Sequence, residues 1–172
     1  MTKTEKLLRD LIALPSVNPA FLPAQDLRAG EQRMGDFLAA TAARAGLDVE
    51  FQPVAPGRSN LLVRLTPRGQ SRQRLLLAPH LDTVGATDDQ FKPRSRNGRL
   101  LGRGACDTKG SVAAMVTALC DVAQSRQRPV ETEIIFAGLV DEEQGQSGSR
   151  ALVASGLKAD LAIVGNPRAC RW

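Results

Sequence analysis

The run Arg74-Leu-Leu-Leu-Ala78 constrains the fold more than any other segment of this chain. It is almost continuously apolar, without the polar alternation of a half-exposed strand. Such a strand is buried on both faces, so it belongs at the centre of a sheet with other layers packed against it. Glu133–Val140 reads as a second core strand. Helical and strand patterns alternate around these two. Thr4–Leu14 puts Leu7, Leu8, Leu11 and Ile12 on one helical face, and Pro15-Ser-Val-Asn-Pro19 stops it. A second helix is expected over about Glu31–Ala45, with Met34, Phe37, Leu38 and Thr41 inward and Gly46 as its stop. Leu47–Pro53 and Asn60–Leu65 read as strands, and Asn97-Gly98 between short flanks marks a hairpin. Ser111–Ala123 is a small-residue helix, Ser149–Ser155 a helix closed by Gly156, and Leu161–Val164 a last strand. The alternation predicts an α/β protein, a three-layer α/β/α sandwich on a mixed, mostly parallel central sheet.

Bulk properties narrow the function. At 172 residues there is room for one core and little room for a second domain. Aromatic residues make up 3% and tyrosine is missing, which argues against a base-stacking surface and a nucleic-acid partner. The net charge of +5 comes mostly from arginines scattered over residues 64–74, 94–103 and 126–128, with no continuous basic stripe. Cys106, Cys120 and Cys170 are odd in number and far apart, so no disulfide framework is expected and a reducing compartment is the default. The first residues are polar, unlike a signal peptide, and the longest weakly polar run, Val112–Cys120, is too short to span a bilayer. A cytoplasmic protein with no membrane partner is the expectation.

The residues able to do chemistry follow apolar strands or open onto helices. His80, the only histidine, ends the first core strand and is followed by Leu81 and Asp82. Asp107 lies in Gly102-Arg-Gly-Ala-Cys-Asp107-Thr-Lys-Gly110, and Asp141-Glu142-Glu143 follows the second core strand. In open α/β sheets, sites form at the carboxyl ends of strands, so a shared edge is expected. His, Asp and Glu gathered there are the donor set of a hydrolytic metal site. Asp82, two residues on in extended backbone, falls on the same side as His80 and can fix its tautomer. Each segment alone has a plainer explanation: a strand-end histidine beside an aspartate, a helix-capping Asp107, a solvated acidic loop. The glycines of residues 102–110 match neither a dinucleotide fingerprint, because Asp107 occupies the third glycine position, nor a P-loop, because Lys109 precedes Gly110.

Taken together, Pro79-His80-Leu-Asp82-Thr-Val84, Gly102–Gly110, Asp141-Glu142-Glu143-Gln-Gly145 and Gly165-Asn166-Pro167 resemble, in order, the motifs of the M20 metallopeptidases. That family includes acetylornithine deacetylases, succinyl-diaminopimelate desuccinylases, aminoacylases and carboxypeptidases. The resemblance implies a zinc exopeptidase-like fold and two zinc ions, which cobalt or manganese can replace. It implies that His80 binds the first zinc, Asp107 bridges both, Glu143 binds the second, and Asp82 orients His80. Glu142 is then the general base for a di-zinc-activated water that cleaves amide bonds of N-acyl amino acids or small peptides. The peptide after Asp107 is expected to be cis.

The resemblance also sets expectations about what differs. In the family the catalytic domain continues past this point, carries an inserted lid or dimerisation domain that often makes a homodimer, and supplies a further histidine ligand. Residues 1–172 are therefore expected to be the N-terminal part of a catalytic domain, an incomplete sandwich with low activity. Asn166 stands at a ligand position where the family has a carboxylate, and a neutral amide oxygen is a weaker zinc ligand. A family-like Gly-Glu-Pro-Thr-Arg-Leu-Pro-Val, back-translated and stripped of one G, reads as Gly165-Asn166-Pro167-Arg168-Ala169-Cys170-Arg171-Trp172, which is compatible with a frameshift. The alternative to an active hydrolase is a non-catalytic remnant of one.

Overall fold

The computed structural model describes residues 1–23 and 25–166, so the expected Pro167–Trp172 tail, including the end of the Gly165-Asn166-Pro167 motif, lies outside the described residues. Its elements in order are α1 (Lys3–Ile12), α2 (Gln32–Arg44), β1 (Asp48–Ala55), β2 (Arg58–Leu65), β3 (Gln73–Pro79), β4 (Arg94–Arg96), β5 (Arg99–Leu101), α3 (Lys109–Gln124), β6 (Thr132–Gly138), α4 (Ser147–Ala154) and β7 (Leu161–Gly165), with short 3-10 turns at Pro19–Phe21 and Asp88–Phe91.

Five strands form one sheet in the order β1-β2-β6-β3-β7. The two apolar runs, β6 and β3, occupy the middle and pair in parallel, from Gln73 opposite Thr132 to Leu77 opposite Phe136. β7 extends the parallel part beyond β3, while β2 runs against both β1 and β6. Four of the five strands thus share a direction, although only two of the four pairings are parallel.

Side-chain alternation divides the packing between the two faces. Leu61, Val63, Leu65, Leu77 and Phe136 meet Leu7 and Leu11 of α1, Met34, Leu38 and Ala42 of α2, and Val112, Val116 and Leu119 of α3. On the opposite face Leu62 and Ala137 meet Leu152 of α4. The result is the expected three-layer sandwich. Full burial of one side chain such as Phe136 stabilises it by roughly 1.5–3 kcal/mol. β7 is an edge strand, and its Leu161, Ile163 and Val164 are exposed.

Local readings differ in detail. α2 turns Met34, Gly35, Leu38 and Ala42 fully inward, whereas Phe37 and Thr41 are half-buried and line a surface cleft. Asn97 and Gly98 both have positive φ, 51° and 72°, the paired left-handed conformation of the tightest hairpins. Where no disulfide framework is expected from the cysteine count and spacing, Cys106 is disulfide-bonded, while Cys120 is free and half-buried. Among the described residues no helix is long and apolar enough to cross a membrane.

Candidate metal centre

The parallel pairing of β6, β3 and β7 brings three carboxyl ends to one edge of the sheet. His80 directly follows β3 and bridges to Leu139 just past β6. Its ring is buried and held from both sides. Nδ1 lies 3.0 Å from the main-chain oxygen of Asp82 and 3.4 Å from Asp82 Oδ1. Nε2 lies 3.0 Å from Asp107 Oδ1 and 3.7 Å from Glu142 Oε2. Asp82 therefore takes one ring nitrogen and leaves Nε2 facing the open carboxylates.

Asp107 arrives from the turn that leads into α3. Its peptide bond to Thr108 is cis. Thr108 is buried, and its hydroxyl donates to Gly165 O at 2.5 Å, tying this turn to the end of β7. The N-cap of α3 is Thr108, with no side-chain capping bond, so the Asp107 carboxylate is not spent as a helix cap. It is half-exposed and points at His80.

The acidic turn after β6 is no solvated loop. Asp141 is buried at φ 66°, a left-handed conformation unusual for a side chain other than glycine. The main-chain N–H groups of Glu142 and Glu143 both donate to the Asp82 carboxylate, each at 3.0 Å. Asp82 thus orients the His80 ring and anchors the Glu142–Glu143 turn at once. Asp141 accepts from Asn18 Nδ2 at 2.9 Å, from Arg58 at 3.1 Å and from the Ser147 hydroxyl at 2.7 Å.

One oxygen each from Asp107 and Glu143 and one ring nitrogen of His80 come within 4.8 Å of one another. This donor set fits zinc. Two ligands about 2.0–2.1 Å from a tetrahedral zinc lie about 3.3 Å apart, and the His80–Asp107 separation of 3.0 Å is close to that. Protons occupy the same donors when no metal is bound, so binding a cation there would release them. Burial, reinforced by Asp107, Asp82 and Glu142, raises the Glu143 carboxyl against the pull of His80. Burial of His80 disfavours its charged form, but Asp82, Glu142 and Asp107 outweigh it and raise the imidazole to about 9. A bound cation would relieve the carboxylate crowding that both shifts express. Asn166, at the fourth expected position, turns its amide nitrogen toward Glu142 Oε1 at 3.5 Å.

A cleft of about 300 Å³ opens beside the cluster, lined by His80, Glu142 and Asn166 together with Leu76, Leu139 and Val164. A second cleft, of about 370 Å³, lies between α1, α2 and α3 on the other face of the sheet and contains none of these residues. Contact with His80 and Glu142, rather than size, marks the first as the candidate site.

The supporting residues were not visible in the sequence. Glu31 is buried and accepts two bonds from Arg58 and one from Asp141 N–H. Arg58 thereby links α2's entry to the acidic turn. Lys109, inside the Gly102–Gly110 segment, is buried and donates to Leu11 O and Leu14 O at 2.8 and 2.7 Å, satisfying carbonyls at the end of α1. Burial, with Arg33 acting in the same direction, lowers its ammonium to about 7. The signal available for these residues was polarity inside otherwise apolar stretches, which names no partner.

A sandwich whose parallel strand ends gather histidine and carboxylates defines an α/β fold with a metal-type site. Residues 76–169 match the model of peptidase family M20/M25/M40, and the chain belongs to that family. Acetylornithine deacetylase of Photorhabdus laumondii is 32% identical over 170 residues, a match covering 94% of this chain and 42% of that protein. Among solved structures, aminopeptidase PepT from Bacillus cereus superposes with a TM-score of 0.77 at 19% identity, covering 97% of this chain and 43% of that one. Human carnosine dipeptidase 1 superposes at 0.73 with 22% identity, covering 95% and 38%. The chain thus spans well under half the length of these relatives.

Proposed function

We propose that the protein is a metal-dependent hydrolase acting on the amide bond of N-acyl amino acids or small peptides. The observation that carries this reading is the convergence of His80, Asp107 and Glu143 within 4.8 Å, with Glu142 beside them. Family membership and the deacetylase and peptidase relatives support the same chemistry. His80 through Nε2, Asp107 and Glu143 would hold the metal, and the nitrogen-and-oxygen donor set suits zinc. Zinc bound there supplies a Lewis acid that activates water and polarises an amide carbonyl.

The chain's own residues do the rest. Asp82 holds His80 through Nδ1 and so directs Nε2 toward Asp107 and Glu142, where the metal would sit. Glu142, one-third exposed and 3.7 Å from His80 Nε2, faces the cluster without being one of its three donors. It accepts the proton from the attacking water and returns it to the leaving amine. The adjoining cleft, lined by Glu142 with Leu76, Leu139 and Val164, receives the substrate.

Zinc-dependent release of free amine from N-acetyl amino acids tests this reading. Turnover should be low but measurable with added zinc, and Glu142→Gln should remove it while leaving zinc bound. Turnover that survives Glu142→Gln contradicts the role of Glu142. A second reading, a metal-binding but non-catalytic member of the family, draws support from Asn166, which presents a neutral amide to Glu142 where the family has a carboxylate. Tight zinc binding with no turnover on any N-acyl substrate would favour it.

A further inference from the structure

One fully buried side chain next to the centre has no part in the chemistry above. Asn18 lies in the loop after α1, yet none of it is exposed. The segment around it runs alongside the residues that follow His80: Asn18 N–H donates to Thr83 O at 2.9 Å, Thr83 N–H to Ser16 O at 3.0 Å, and the Ser16 hydroxyl to Leu81 O at 2.7 Å. A primary amide nitrogen carries two hydrogens. In Asn18 both are used on carboxylates: Nδ2 lies 2.8 Å from Asp82 Oδ2 and 2.9 Å from Asp141 Oδ1. The amide oxygen accepts from Ala20 N–H at 3.1 Å. Flipping the amide would set its oxygen against two carboxylate oxygens, so the orientation is fixed by charge.

Two carboxylates from loops about 60 residues apart thus share one donor atom. Asp82 holds His80 Nδ1 and the N–H groups of Glu142 and Glu143, and Asp141 opens the turn that carries those two glutamates. Without the shared donor, the oxygens of Asp82 and Asp141 would face each other and repel. We propose that Asn18 is a positioning residue of this centre: its amide nitrogen clamps the His80–Asp82 segment to the Asp141–Glu143 turn, and so sets the separation of the ligands on each. This rests on the reading that His80, Asp107 and Glu143 bind zinc.

The test uses the 172-residue chain, wild type and Asn18→Ala, each also combined with Asp82→Ala. Zinc dissociation constants come from chelator competition, the visible absorption of the Co²⁺ form reports ligand geometry, and melting of the metal-free protein reports the fold. Asn18→Ala should weaken zinc by about 10–100-fold, as loss of a residue behind the ligands does, and should shift the Co²⁺ bands. In the Asp82→Ala background the same change should cost a few-fold at most, because its route through Asp82 is gone. If Asn18→Ala does not fold, Asn18→Ser, which retains one donor, should show a smaller loss and the same dependence on Asp82. Zinc affinity and Co²⁺ bands unchanged while the melting point falls would reduce Asn18 to a structural residue, as would an equal loss in both backgrounds. A wild type that binds no zinc overturns the metal-centre reading itself, whereas equal zinc binding by all the folded variants overturns this proposal alone.

Discussion

Replacing Arg58 by methionine removes a buried charge while leaving most of the side-chain stem in place. Arg58, Glu31 and Asp141 form a linked group whose side chains are 16%, 2% and 12% exposed. The substitution does not burden the two acids equally. Asp141 retains its bonds from Asn18 and Ser147. Among the described residues, Glu31 retains only the Asp141 N–H, at 3.2 Å. The cost therefore falls on an almost fully buried carboxylate stripped of its cation, and breaking a buried pair in this way costs about 3–5 kcal/mol. With an unfolding entropy of about 2.1 cal/mol/K per residue, that cost lowers the midpoint of a chain this long by roughly 8–14 °C. Calorimetry of the metal-free protein measures it. Adding Glu31→Gln to the Arg58→Met variant removes the stranded charge and should recover most of the loss. A drop below about 3 °C for Arg58→Met, or no recovery in the double variant, would show that the network does not hold α2 to the acidic turn in the way described.

Two other perturbations probe the same edge of the sheet. Asp141 has its carboxyl lowered to about 2: burial works against ionisation, but the bonds from Asn18 and Ser147 and the charge of Arg58 overcome it. A depressed carboxyl stabilises the fold above its unfolded pKa of about 3.9, and that contribution is lost as pH falls toward 2. Urea midpoints should therefore drop between pH 4 and 2, less steeply in Asp141→Asn; an identical slope in both proteins contradicts the assignment. A Cβ placed on Gly148 at the start of α4 would collide with Val140 O and come 2.5 Å from Asn60 Oδ1. Gly148→Ala should cost at least about 1–3 kcal/mol through backbone displacement, seen as a lower melting point, and a neutral result would mean that α4 shifts freely against β6.

What the sequence revealed follows the range of the forces involved. The two central strands were legible because burial on both faces leaves a continuous apolar run, as in Leu75–Ala78 and Ile134–Val140. The β4–β5 turn was legible because Asn97 and Gly98 tolerate positive φ. The strand order was not, since nothing local to Arg58–Leu65 says that it inserts antiparallel between β1 and β6. Phe37 and Thr41 fell on the expected helical face yet line a cleft, because α1 and α3 leave that part of α2 uncovered. Near the centre, His80, Glu142 and Glu143 stood out by residue type at strand ends, and Asp107 in the glycine-rich turn before α3. Asn18, Glu31 and Arg58 did not, because their partners lie between 27 and 123 residues away and an isolated polar residue carries no sign of them.

His80 also offers the most direct test of the whole account, because it is the only histidine in the chain and its ring nitrogens are unambiguous in NMR. The structure turns Nδ1 toward Asp82 and Nε2 toward Asp107 and Glu142. Titrating zinc into ¹⁵N-labelled protein should move the Nε2 resonance to that of a metal-bound nitrogen while Nδ1 keeps its proton, and Asp107→Asn should weaken the response. Ring signals that ignore zinc, or a metal bound at Nδ1, would contradict a centre built on His80, Asp107 and Glu143.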